Sequence, residues 1–144
     1  MPVSFLIVSA AVATADRRCD MLQAYSIGVD VAANGIVPFN NVVIDKGCAE
    51  NLTGVGTIEL EKAGMYLVLV NGTASASTTI QLVRNGVALP QAQATGTSLA
   101  FSTFIQVPNN NCNCNCKTSP VTLQVSNDTA ATFPNVNIVV EKVA

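Results

Sequence analysis

The residues with most chemical potential in this chain are its five cysteines, Cys19, Cys48, Cys112, Cys114 and Cys116. The last three alternate with asparagine, so an extended backbone would point all three sulfurs to one side, about 7 Å apart. Disulfides within or between chains, drawing in Cys19 and Cys48, are the first reading; they would staple loops in an oxidising medium. Free thiols in an ordinary loop are the second. A thiolate metal site is the third, because zinc-binding cysteine pairs usually have two or more residues between them and the chain has no histidine to complete a set. An odd number of cysteines favours at least one intermolecular pair or a free thiol.

Asp45, Glu50, Glu59, Glu61 and Asp128 offer oxygen ligands for a hard cation, but not at calcium-loop spacing. Glu59 and Glu61 read more simply as the solvent face of a strand whose other face carries Ile58 and Leu60. Nucleophilic catalysis fails on inventory. A Ser or Cys nucleophile needs a base, and with histidine absent only a lysine or carboxylate is left, none of them distinguished by its setting. The expectation is a protein that is not an enzyme and needs no cofactor or metal. The triplets at Asn51, Asn71 and Asn127 fit the N-glycosylation pattern, but such triplets arise readily by chance in an Asn- and Thr-rich chain.

These residues sit in a 144-residue chain, long enough for one domain with a real core. Only 11% of its residues are charged, against roughly 25% in an average soluble domain. So neutral a surface points to burial against copies of itself or a large partner. A net charge of -2 without a basic tract argues against nucleic acid.

The elements read as strands. Residues 3–12 are apolar on both faces and followed by Ala13-Thr14-Ala15, like a secretory signal, but no Lys or Arg precedes them. The run is too short to span a bilayer as a helix. A docking arm is preferred, with Val3, Phe5, Leu6, Ile7 and Val8 as its attachment residues. Tyr25, Ile27, Val29 and Val31 alternate along one side of a first strand. Asn34-Gly35 ends it, and Asp45 to Gly56 reads as an irregular connection. Glu61-Lys62-Ala63-Gly64 reads as a tight hairpin turn leading into a strand with Tyr66, Val68 and Val70 on one face. Asn85-Gly86 is a strong hairpin signal, since a type I′ turn needs positive φ at both central positions. Gln93 to Thr97 reads as a polar loop, and Ser98 to Val107 as a long strand with Leu99, Phe101, Thr103, Ile105 and Val107 on one face. Val121 to Val125 and Val136 to Val140 complete an all-β pattern of roughly eight to ten short strands, a sandwich or jelly roll.

Leu60 with Lys62 to Val68, the segment Val83 to Val87, the strand Ser98 to Val107 and a last strand Val136 to Val140 together make residues 25–144 resemble the tumour-necrosis-factor-like jelly roll. Complement-type globular heads, the C-terminal domains of collagen-like spore-surface proteins and small phage decoration or head-fibre proteins share it. The Asn and Cys tract at 109–116 departs from that family, which usually has a short Gly-Asp turn there, and no Gly-X-Y repeat precedes the domain. The resemblance implies a single-domain jelly-roll sandwich over residues 25–144, an arm over 1–24, and a homotrimer in which Tyr25, Tyr66, Val68 and Phe101 are core or trimer contacts. It implies a structural protein decorating a larger particle, first a phage capsid, with the major capsid protein or another shell as partner and the virion surface as location. A module that binds a cell-surface glycan or host surface, and a spore-surface or secreted component, are the alternatives.

Overall fold

The computed structural model describes residues 20–47, 49–54, 56–108 and 121–144. The attachment residues Val3, Phe5, Leu6, Ile7 and Val8 and all five cysteines, Cys19, Cys48, Cys112, Cys114 and Cys116, lie outside the described residues.

Nine strands are present among them: β1 (Met21–Val31), β2 (Gly35–Ile36), β3 (Asn41–Lys46), β4 (Glu50–Thr53), β5 (Thr57–Leu60), β6 (Gly64–Arg84), β7 (Val87–Val107), β8 (Val121–Asn127) and β9 (Ala131–Lys142). All pairings are antiparallel, in the order β3-β1-β9-β6-β8-β5-β4, with β7 on β6 and β2 on β8. The two longest strands each serve two sheets. The first half of β6, Tyr66 to Thr73, pairs with β9, and its second half, Ile80 to Arg84, pairs with β8. β7 follows β6 through both halves, with the register broken between Thr73 and Thr78. The result is a jelly-roll sandwich: a first sheet β3-β1-β9-β6-β7 and a second sheet β4-β5-β8-β6-β7 around one core.

The core draws on both sheets. Leu22, Tyr66, Val68, Val70, Leu99, Ile105, Val136, Ile138 and Val140 come from the first, and Ile58, Leu60, Ile80, Leu82, Leu123 and Val125 from the second. Burying each such aliphatic side chain is worth roughly 1.5–3 kcal/mol. Where β6 changes sheets, a polar knot replaces apolar packing. The Thr78 hydroxyl contacts Asn127 Oδ1, Asn127 Nδ2 donates to the Thr129 carbonyl at 2.6 Å and to that of Val31 at 3.3 Å, and the Thr79 amide donates to Asp128 Oδ1 at 2.9 Å. The Thr79 amide holds the Asp128 carboxyl below its usual range. Asn127, wholly buried and bonded, is not presented as a glycan acceptor.

Asn85 (φ 49°) and Gly86 (φ 82°) form the hairpin turn between Arg84 and Val87, as the sequence predicts. Five other expectations are corrected. Strand β1 begins at Met21, so residues 21–24 belong to the sheet rather than the arm. Its core face is Leu22, Ala24 and Ser26, while Tyr25 and Ile27 point outward. The inward face switches at Gly28, whose φ of 66° few other residues tolerate, and on β9 at Pro134, so that Val31 and Phe133 turn inward. The turn at Glu61 to Gly64 does not close a hairpin. β5 pairs with β4 and β8, and β6 with β7, β8 and β9, so this corner carries the chain from one sheet to the other. The stretch from Asp45 to Gly56 contains the edge strand β4, and Gln93 to Thr97 is continuous strand within β7.

Candidate assembly interface

Period-two alternation gives every strand of the first sheet an outward face, and the register aligns these faces in four rows across β1, β9, β6 and β7. The rows are Met21, Glu141, Leu67, Phe104; then Gln23, Val139, Leu69, Ser102; then Tyr25, Asn137, Asn71, Ala100; and Ile27, Asn135, Thr73, Ser98. Sixteen positions hold one charge, Glu141, and eight apolar or aromatic side chains. Ile27 is 68% exposed, Phe104 61% and Leu69 38%. A shallow open groove crosses the middle, lined by Leu69, Val139, Phe101, Asn71, Ala100 and Ser102, with Val70 at its floor. An outward face half apolar and holding exposed Ile27, Leu69 and Phe104 has the character of a contact surface.

The outward face of the second sheet is built from other chemistry. It carries Asn51, Thr53, Thr57, Glu59, Thr122, Gln124, Ser126, Thr79, Gln81, Val83, Gln93 and Thr95. These side chains bond to one another and to the backbone. Gln124 Nε2 donates to Thr57 Oγ1 at 2.9 Å, Gln81 Nε2 to the Leu89 carbonyl at 3.0 Å, and the Thr79 and Thr95 hydroxyls meet at 2.7 Å. Glu59 stands on this face and Glu61 is exposed beside it, while Ile58 and Leu60 are buried.

Of the residues singled out from the sequence, Tyr66 and Val68 are fully buried in the core. Tyr25 and Phe101 are half-buried, Tyr25 on the outward face of the first sheet and Phe101 packed against the core at its β7 edge. The outward set Leu67, Leu69, Val139 and Phe104 was not singled out, although its signal is present: each of these strands is apolar on both faces, which a sheet covered on one side only does not need.

At one end of the sandwich a second cluster gathers. Glu50, the first residue of β4, is fully buried, and neither carboxylate oxygen has a hydrogen-bond partner. Burial first, then the charges of Asp20 and Asp45, push its carboxyl up to about 7. The Lys142 amide pulls the other way, but it donates to the Asp20 carbonyl at 3.2 Å. The Asp20 carboxylate lies against Gly47, where a Cβ would sit 1.5 Å from Oδ1, and pairs with Lys62 Nζ at 3.5 Å. The Tyr66 hydroxyl donates to the Lys62 carbonyl at 2.7 Å, so its proton is not available to Glu50. Burial, with the charges of Glu50, Asp20 and Glu61, pushes the phenol up to about 12. Among the described residues no group of three or more His, Cys, Asp or Glu is arranged to hold a metal ion, and no helix is long and apolar enough to cross a membrane.

No protein-family model and no curated protein matches the sequence. Solved structures match the fold. The globular domain of zebrafish complement 1qA protein superposes with a TM-score of 0.67, over 87% of this chain and 98% of that one, at 8% identity. Murine APRIL gives 0.59 over 84% and 98%, at 10% identity. The PRD1 vertex protein P5 gives 0.56 over 88% and 98%, at 15% identity. The chain has the tumour-necrosis-factor-like jelly-roll fold.

Proposed function

We propose that this chain is a structural protein that assembles into a homotrimer through the outward face of its first sheet and decorates the surface of a larger particle, a phage capsid in the first instance. The observation that carries the reading is the sixteen-position face with eight apolar or aromatic side chains, Ile27, Leu69 and Phe104 exposed among them, next to a second sheet whose outward residues are polar but for Val83. Left in water, that face exposes Ile27, Leu69 and Phe104; buried between copies, it forms the apolar centre typical of obligate contacts. The likeness to a vertex protein supports the particle, and the fold suits a crowded array because a sandwich leaves few strand edges free. In this reading Val3, Phe5, Leu6, Ile7 and Val8 attach the trimer to the shell, and Cys112, Cys114 and Cys116 staple one end.

Light scattering on the purified protein, with and without reductant, tests the assembly. Three copies of 14.9 kDa give about 44.7 kDa, expected in both buffers; 14.9 kDa in both overturns the trimer. Detection of the chain in purified virions tests the particle, and its recovery only from spores or culture medium overturns the capsid location.

A further inference from the structure

Glu50 takes no part in the assembly face, yet it is a fully buried acid whose two oxygens lack a partner. A neutral carboxyl in that place leaves a hydrogen bond unmet, whereas a carboxylate leaves a charge unmet, a far larger cost. The groups around it offer little relief. Asp20, ahead of β1, and Asp45, on β3, are like charges. The Tyr66 hydroxyl, on β6, donates its hydrogen bond to the Lys62 carbonyl. At the corner before β6, Glu61 accepts from Asn51 Nδ2 at 2.8 Å and Lys62 pairs with Asp20. On β9, Lys142 turns its ammonium to the Ala144 carbonyl at 2.9 Å.

We propose that Glu50 is a pH-operated latch on the seam where the start of β1 meets β4 and the end of β9: protonated, it lets the seam close, and its ionisation favours release of Asp20 from the Lys142 amide, while Lys142 stays paired to Tyr66 on β6. The seam is held lightly enough for this. Asp20 accepts the Lys142 amide at 3.2 Å, and its ion pair with Lys62 is 3.5 Å long with the lysine side chain 46% exposed, a pair of small worth. Opening admits water to Glu50 and separates it from Asp20. Asp20 is also the residue through which residues 1–19 join the barrel, so the latch acts at the root of that segment.

The sign follows from linkage. In the closed seam Glu50 titrates near 7, against an ordinary 4.5 once solvated, so the closed form holds the proton more tightly. Opening is least favoured below pH 4.5, grows by about tenfold per unit up to about 7, and then levels off. Hydrogen exchange on the full chain, corrected for intrinsic rates, reads this directly at the Lys142 amide. Its protection is expected to fall more than 100-fold between pH 4.5 and pH 7 and to stay level from 7 to 8.5. In Glu50→Gln the fall should be absent, and in Asp20→Asn its upper limit should move to lower pH. A Lys142 protection that does not change with pH in the unaltered protein overturns the latch, as does an unaltered fall in Glu50→Gln.

Discussion

The two outward faces of this sandwich are made by the same alternation and the same kind of strand, yet they meet water in opposite ways. The second sheet turns out Thr, Gln, Ser and Asn, where Thr79 meets Thr95 at 2.7 Å, Gln124 bonds Thr57 at 2.9 Å and Gln81 bonds the Leu89 carbonyl at 3.0 Å. The first turns out Leu67, Leu69, Val139, Phe104, Tyr25 and Ile27, which gain by meeting another apolar surface, beside two polar pairs, Gln23 with Asn137 at 3.1 Å and Asn135 with Thr73 at 3.2 Å. In the proposed trimer this difference in apolar content alone would choose the contact face, with no charged recognition needed.

The largest expected effect comes from breaking the unsatisfied face. Leu69→Asp puts an unpaired carboxylate at the centre of the groove, and the native mass should fall from about 44.7 to 14.9 kDa with the fold intact by circular dichroism. Next is the seam at the end of the two sheets. Because Glu50 is raised in the folded protein, its contribution is present in full below pH 4.5 and is lost as pH climbs through 7. Stability by urea melts should therefore fall by on the order of 3 kcal/mol across that window, and Glu50→Gln should flatten this part of the profile. Gly72→Ala asks how tightly β6 lies on β9. The new Cβ would stand 2.6 Å from the Asn135 carbonyl oxygen and 2.9 Å from Val136 Cα, so a loss of about 1–3 kcal/mol is expected in the same melts. The smallest effect is the control. Gln124→Lys on the second sheet should leave the mass unchanged and cost about 1 kcal/mol, the worth of its bond to Thr57.

Much of the fold was legible because its signals are local. Asn85-Gly86 specifies its own turn, and Tyr66, Val68 and Val70 announce a shared buried face by spacing alone. Alternation says which residues share a side; it does not say which side is the core. In β1 the outward set Tyr25 and Ile27 is no less apolar than the inward set Leu22, Ala24 and Ser26, and the single side expected for Tyr25 through Val31 is broken at Gly28. Ser26 is tolerated inside because its hydroxyl donates to the Pro38 carbonyl and accepts from the Asn40 amide, both at 2.8 Å, a pairing between residues far apart in pattern. Glu50 was visible as a carboxylate but not as a buried one. It opens a four-residue edge strand, paired with β5, that reads as loop, so nothing local announces its burial.

The place of β9 carries a consequence for the timing of assembly. It follows the other described strands in chain order, yet it lies between β1 and β6 at the centre of the first sheet. While the protein is being synthesised, β1 has β3 beside it and β6 has β7, but the two pairs have nothing to join them until Ala131 to Lys142 has emerged from the ribosome. The four-strand surface on which copies would meet is whole only then, although its β6–β7 half can form earlier. Until then β1 and β6 keep open edges beside the exposed Leu69 and Phe104, the surfaces by which unfinished chains stick together, so the late strand also closes a hazard of synthesis.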